Sequence, residues 1–556
     1  MNTIVKIVLL LLLVINISCE EFLLEEPPGF IDLPTFYNTA ADARSAADAI
    51  YQPFQNGTGN SIYGRWWTVV DLGTDDMMSK RNRNTFTQWF THSIDPNHIW
   101  LSSWEQYDAF WISIARANDV LAYVPAIEMD EAEKSAILGE ARAMRALAYL
   151  HLVKAWGDMP KVISVGGPET YNLPRSSVVE IYDEIIIPDL IFAETYCVDN
   201  IHTGRVTKWS AKMFLADVYL TRSGWRRTSQ GEFVQGNQEN WALARDKAQD
   251  IIVNSPHSLI TEDYVDGLHT TAACLVPWVE SKPYSVESMM ELGAINISGL
   301  GSFITRDCHP DPFGDRYWGS RANQPFKSEG NLKRVRDMRW PGRPPPTGVY
   351  IPSPDLGSHF EAGDERKDAY LLTRYDTPEG DTYICQPTMR KYVDIDYLLG
   401  KENTTFLNTN RNILLYRYAD ALLIYAESQN EVNEGPDLSA YEAINEIRNR
   451  AGLLDLTEGL SKDDFRKAVW KERRSELCGE MKRRFDLIRT NRLYTETLDI
   501  KTEWTAAEGS LTTYKNAHAE YGAFVWPDHE WLFPIPTNQM ILNKDNNWSQ
   551  NNGYSD

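Results

Sequence analysis

The chain has 556 residues, 43% hydrophobic and 24% charged, a globular composition that excludes disorder along its length. A chain of this length predicts one large domain or two intimately packed ones. The net charge of −23 repels nucleic acid and anionic membrane surfaces, so no nucleic-acid partner is expected.

Residues 1–18 read as a secretory signal. Lys6 supplies a basic start, and 7–15 is continuously apolar but shorter than the roughly 20 residues that span a bilayer. Ser18-Cys19 then resembles a lipobox, which makes Cys19 the expected lipid attachment site. Residues 19–38 form a proline-stiffened tether (PPGFIDLPTFY).

A helical scaffold is expected over 39–254, with helices at 42–54, 103–123, 130–156, 175–196, 207–222 and 239–252. In the third of these, Ala141, Met144, Ala148, Leu152 and Ala155 recur at helical spacing, and their small size allows close approach of a neighbour. Gly157 supplies a stop and Pro160 prevents the helix from resuming. Ala211, Leu215 and Ala216, followed by Ala244 and Ala248, resemble a tetratricopeptide-type helix pair; an ordinary helical bundle remains the alternative. The same pattern returns over 415–452, within a C-terminal unit of helix pairs and a terminal segment spanning 413–556. The fold class is therefore mainly α: a tetratricopeptide-like helix-pair solenoid carrying a long irregular, loop-rich insertion.

Two stretches break the helical period. The first, 60–104, mixes Tyr63, Trp66, Trp67, Trp89 and Trp100 with Asp75, Asp76, Arg81 and Asn84. Indole faces stack on the apolar face of a pyranose while forked polar groups take its hydroxyls, so these residues are candidate ligand contacts. The second, 255–412, is dense in Gly, Pro and aromatic residues and too long for an idle loop. It is read as a ligand-binding insertion; Tyr317 and Trp318 are its candidate contacts, and the basic residues between Arg316 and Arg343 could form a positive rim.

Five cysteines besides Cys19 are scattered without a CxxC, so a disulfide is possible but cannot be assigned, and no metal ligand set or cofactor is predicted. No HExxH, Walker A or GxSxG is present. Asp75/Asp76 leaves a helical-barrel glycoside hydrolase open as a rival, since such an enzyme needs only two well-placed carboxylates.

Several motifs carry a family resemblance. EARAMRALAYLHLVKAWGDMP at 140–160, YRYADALLIYAE at 416–427, AINEIRNRAGL at 443–453, KERRSELCGEMKRRFDLIR at 471–489 and WLFPIP…QNNGY at 531–554 are similar to the ordered motifs of SusD/RagB-like outer-membrane lipoproteins. Glu20 and Glu21, just after Cys19, resemble the surface-export signal of these lipoproteins. The resemblance implies a non-enzymatic, lipid-anchored protein on the outer face of the outer membrane. It would capture oligosaccharides and deliver them to a SusC-like TonB-dependent porin, with peptide capture of the RagB type as the alternative. Arg417, Asp420, Arg473, Glu476 and Asp486, which lie in these motifs, are expected in buried or half-buried ion pairs.

Overall fold

A computed structural model describes residues 36–55, 62–63, 66–79, 88–89, 92–98, 106–267, 269–295, 297, 301–302, 304–308, 332–334, 350–376, 380, 382–393, 409–498, 503–504, 514–515 and 529–555. Thr39 opens α1 (Ala40–Tyr51) through a capping box with Asp42, and Ala43, Ala46, Ala47 and Ile50 form its buried face. A short α2 (Trp66–Asp71) forms inside the stretch expected to be irregular. Next come α3 (Gln106–Tyr123) and the long α4 (Glu131–Trp156).

Asp130 caps α4 by accepting from the Glu133 N–H at 2.9 Å, and Gly157 ends it at φ 78°. Nearly every residue from Ala136 to Trp156 is buried, because α1, α3 and α5 (Ile187–Tyr196) all pack on this helix. Its buried charges Glu140 and Arg145 are satisfied internally. Both Glu140 oxygens accept from Arg44 at 2.7 Å, and Arg145 reaches Asp189 at 2.8 Å and Asn118 at 2.7 Å.

The helix expected over 175–196 is interrupted. Arg175–Ser176 pairs as a strand with Met159–Pro160, and a π-helical turn at Tyr182–Ile186 precedes α5. Pro188, which has no N–H to donate, sits in the first turn of α5. The stack continues through α6 (Lys208–Ser223), the hairpin β2 (Trp225–Arg227) and β3 (Phe233–Gln235), and α7 (Glu239–Asn254). Here β1 denotes Met77–Ser79.

The insertion leaves the stack after α7. It holds β4 (Ser288–Leu292), β5 (Tyr350–Pro352) and a three-stranded sheet of Leu371–Asp376, Thr382–Met389 and Leu332–Arg334. The chain returns through β6 (Ile413–Arg417), which pairs antiparallel with β4, Ile413 opposite Leu292 and Arg417 opposite Ser288. Then follow α8 (Tyr418–Val432), α9 (Leu438–Arg450), α10 (Lys462–Leu477) and α11 (Arg483–Arg489). Since α7 packs directly on α8, the helix stack runs on across the intervening residues. Loop closure grows only slowly with length, so this arrangement is tolerable.

The terminal motif returns to the signature helix. Phe533 N–H donates to Ala155 O at 2.8 Å, and Asn551 donates to Trp156 O at 2.9 Å, satisfying carbonyls that a helix end leaves open. Arg417, Asp420, Arg473, Glu476 and Asp486 take the buried roles expected of them. Arg417 bonds Glu476 at 2.6 Å, Arg473 reaches Asp486 at 3.1 Å, and Asp420 accepts the Arg417 N–H at 3.0 Å. Cys197, Cys274, Cys308 and Cys478 are buried free thiols.

Candidate functional site

The two stretches singled out in the sequence meet at the turn 71–76. Gly73 sits at φ +79°, and a Cβ added there would lie 2.9 Å from Trp89 O and 2.5 Å from His92 Cε1. The turn is thereby pressed against Trp89 and His92. It leads into β1, which pairs antiparallel with β5, Met77 opposite Pro352 and Ser79 opposite Tyr350. The Ser353 N–H donates to Asp76 O at 2.7 Å, and the Tyr350 hydroxyl donates to Asp71. The short helix Ile304–Cys308 touches β5, and its Cys308 carbonyl accepts from the Thr388 hydroxyl. Trp89 and His98 meet edge-to-face at 5.3 Å.

The framework of this turn and its neighbours is held from the far end of the sequence. Arg483 forks onto Asp75 at 2.8 and 2.6 Å, and Arg474 bonds Asp76 at 2.6 Å and Asp75 O at 2.9 Å. Burial acts to raise the Asp75 carboxyl, but Arg474 and Arg483 override it and hold it well below the usual range. Burial pushes Asp76 up in spite of Arg474, and pushes Asp71 to about 7. Arg474 and Arg483 both lie in the motif at 471–489, but nothing in its spacing ties either of them to this turn.

Five candidate contacts are corrected by their burial. Tyr63 bonds His151 at 2.9 Å. Trp66 is 1% exposed and packed among Phe110, His151, Trp156 and Phe485. It borders a cavity of about 60 Å³, space for ordered water and far below the few hundred Å³ typical of ligand pockets. Trp89 is 2% exposed and set edge-to-face on Phe533 at 4.9 Å. Asp75 and Asp76 are buried against arginine. Trp66 and Trp89 thus offer no free ring face to a sugar, and Asp75 and Asp76 offer no free acid–base pair. Their place is in supporting the framework. The backbone of Trp67 belongs to α2, but its side chain lies outside the described residues, as do Arg81, Asn84, Trp100, Tyr317 and Trp318. Cys19 lies outside them too. Among the described residues, no three His, Cys, Asp or Glu side chains converge to hold a metal, and no helix is long and apolar enough to cross a membrane.

The motifs along the stack and around the turn can be compared with known families. A model of the SusD family matches residues 337–554, and one described as starch-binding associating with outer membrane matches residues 40–220. The chain belongs to the SusD/RagB family. SusD-like protein P25 of Formosa agariphila is 26% identical over 97% of each chain. Among solved structures, a SusD superfamily protein from Parabacteroides distasonis aligns with a TM-score of 0.70 at 23% identity, covering 92% of this chain and 99% of that one. Surface glycan-binding protein A from Bacteroides thetaiotaomicron, in complex with laminarihexaose, aligns with a TM-score of 0.67 at 18% identity, covering 93% and 100%. These structural likenesses fix the SusD fold: a mainly α, tetratricopeptide-like stack with small sheets.

Proposed function

We propose that this SusD-family chain is a surface glycan receptor, anchored in the outer membrane through lipid on Cys19, that hands oligosaccharide to a SusC-like TonB-dependent transporter. The carrying observation is the β1–β5 register at the 71–76 turn, which supports bringing segments from 60–104 and from the insertion 255–412 to one face. Family membership supports the ligand class, since one structural neighbour was solved with laminarihexaose and one family model is described as starch-binding. Trp67, Arg81, Asn84, Trp100, Tyr317 and Trp318 are the proposed contacts, and Tyr63, Trp66, Asp75, Asp76 and Trp89 the residues that hold their base. No catalysis is proposed: the paired carboxylates that kept a glycoside hydrolase open are tied to Arg474 and Arg483.

Calorimetry of the detergent-solubilised chain with laminarihexaose and maltohexaose tests this reading. Stacking on two or three rings supports micromolar to millimolar affinity after the cost of association, roughly 1 kcal/mol per ring beyond burial. Trp100→Ala and Trp318→Ala are each expected to weaken binding about fivefold with an unchanged melting temperature. Normal binding by both variants, or release of reducing sugar, defeats the proposal. Cys19→Ala should move the protein into a soluble fraction, and gentle affinity purification from native membranes should recover a TonB-dependent porin in near-equal amount.

A further inference from the structure

A second cavity lies on the stack, and none of its lining residues belongs to the 71–76 turn. It has a volume of about 310 Å³ and is walled by β2–β3, the C-terminal ends of α4 and α6, the π-helical turn, α11 and the terminal segment. That volume suits one ring-sized ligand, at the small end of ordinary pockets. Four aromatic residues, Tyr182, Trp225, Phe485 and Trp531, shape it. Phe233 stacks on one face of Trp225 at 4.6 Å and 11° and meets Trp531 edge-to-face at 5.0 Å, bracing both rings from outside the cavity.

The hairpin wall also packs closely on the stack. The Gly236 N–H donates to Gly224 O at 2.8 Å, and a Cβ added at Gly236 would lie 1.8 Å from Arg222 O. The hairpin is therefore seated directly on the end of α6.

The charge of this wall is unlike that of the whole chain. A protein of net charge −23 here presents Lys154, Arg222, Arg226, Arg227 and Arg489, with no Asp or Glu among the lining residues described. Four of these cations are already engaged: Arg227 makes an interaction of its own, and three bond carboxylates behind the wall. Lys154 bonds Asp217 at 2.6 Å, Arg222 bonds Asp183 at 2.6 Å, and Arg489 bonds Glu427 at 2.6 Å. Arg226 has no carboxylate partner among the described residues, and it lies close enough to Tyr182 to act on its phenol. Val179, Gln235 and Asn237 line the cavity and are exposed, which gives a ligand a way in.

We propose that this cavity is a second ligand site, for a small ring compound bearing a carboxylate or a sulfate. The anion is held by Arg226 of the hairpin and the ring rests against Trp225. A guanidinium fork matches both anions, and the aromatic wall matches a ring that is apolar on one face. None of its lining residues is a proposed oligosaccharide contact, so either proposal can fail without the other.

Calorimetry of the detergent-solubilised full chain with D-glucuronate, glucose 6-sulfate and neutral glucose tests it. Millimolar binding of at least one anion, with none for glucose, is the expected result, and the two anions separate carboxylate from sulfate recognition. Arg226→Gln should weaken that binding about tenfold, and Trp225→Ala should weaken it for both anions. Arg245→Gln, the same charge change outside the cavity, should leave it intact, and laminarihexaose binding should be unaffected by Arg226→Gln. Equal binding of glucose and glucuronate, binding of neither anion, or normal anion binding by Arg226→Gln overturns the proposal.

Discussion

Around α4 the stack is closed by alanines and rings, with Trp156 set among Tyr107, Phe110 and Phe533 at 5.3 to 6.2 Å. Where the insertion rejoins the stack, the centre is ionic. Arg417 bonds Glu287 at 2.8 Å, Glu476 at 2.6 Å and Glu480 at 2.8 and 2.9 Å, while Arg450 shares Glu287 and Glu476 and Arg366 shares Glu476. The side chains of Arg366, Arg417 and Arg450 are wholly buried. Members of this cluster come from both the insertion and the stack, so it fastens one to the other. The contrast lies in directionality. Apolar packing loses free energy in proportion to the atoms removed. A buried ion cluster fails all at once, because removing one partner strands charge in a low dielectric.

The largest expected effect tests that contrast with a conservative change. Arg417→Lys keeps the charge but cannot fork onto three carboxylates, and it should lower stability by about 3–5 kcal/mol in urea unfolding. A loss below about 1 kcal/mol would erase the distinction between the two regions. Gly157→Ala comes next, at about 1–3 kcal/mol, since it forces φ 78° on a residue with a Cβ and sets that Cβ 2.8 Å from Leu532 Cδ1. In the apolar region, Trp156→Phe should cost only about 1 kcal/mol. The ring shrinks, but a buried indole N–H with no hydrogen-bond partner among the described residues disappears with it.

The smallest effect sharpens the comparison by pH. Burial pushes the Glu530 carboxyl from its ordinary 4.5 to about 7, beside His92 at 3.3 Å. Between these values the folded protein holds a proton that the unfolded chain has lost. Glu530 therefore contributes less stability as pH rises through that window. Glu530→Gln should reduce the gain in melting temperature between about pH 8 and about pH 5. Asp71, also pushed to about 7, leaves part of that gain in the variant. An unchanged pH profile would show that Glu530 does not titrate there.

The helix stack was legible from residue spacing. Ala141, Met144, Ala148, Leu152 and Ala155 lie buried on α4 as their period required, and Gly157 ends the helix where a residue at positive φ was needed. Local preference and burial pointed the same way, which is when a pattern in one segment suffices. The interruption before α5 was missed because it depends on the pairing of Arg175–Ser176 with Met159–Pro160.

The candidate site divides along the same line. By itself the sequence marked 60–104 and the insertion as irregular, aromatic and polar, and its motifs identified the family. Tertiary structure alone decided that Trp66, Trp89, Asp75 and Asp76 face inward. Arg483 lies 408 residues from Asp75, and the Phe533 ring that covers Trp89 belongs to the terminal motif. A tryptophan or an aspartate has the same local preference whether its partner is solvent, a sugar or a distant guanidinium. Burial is a property of the assembled neighbours, and no periodicity within one segment encodes it.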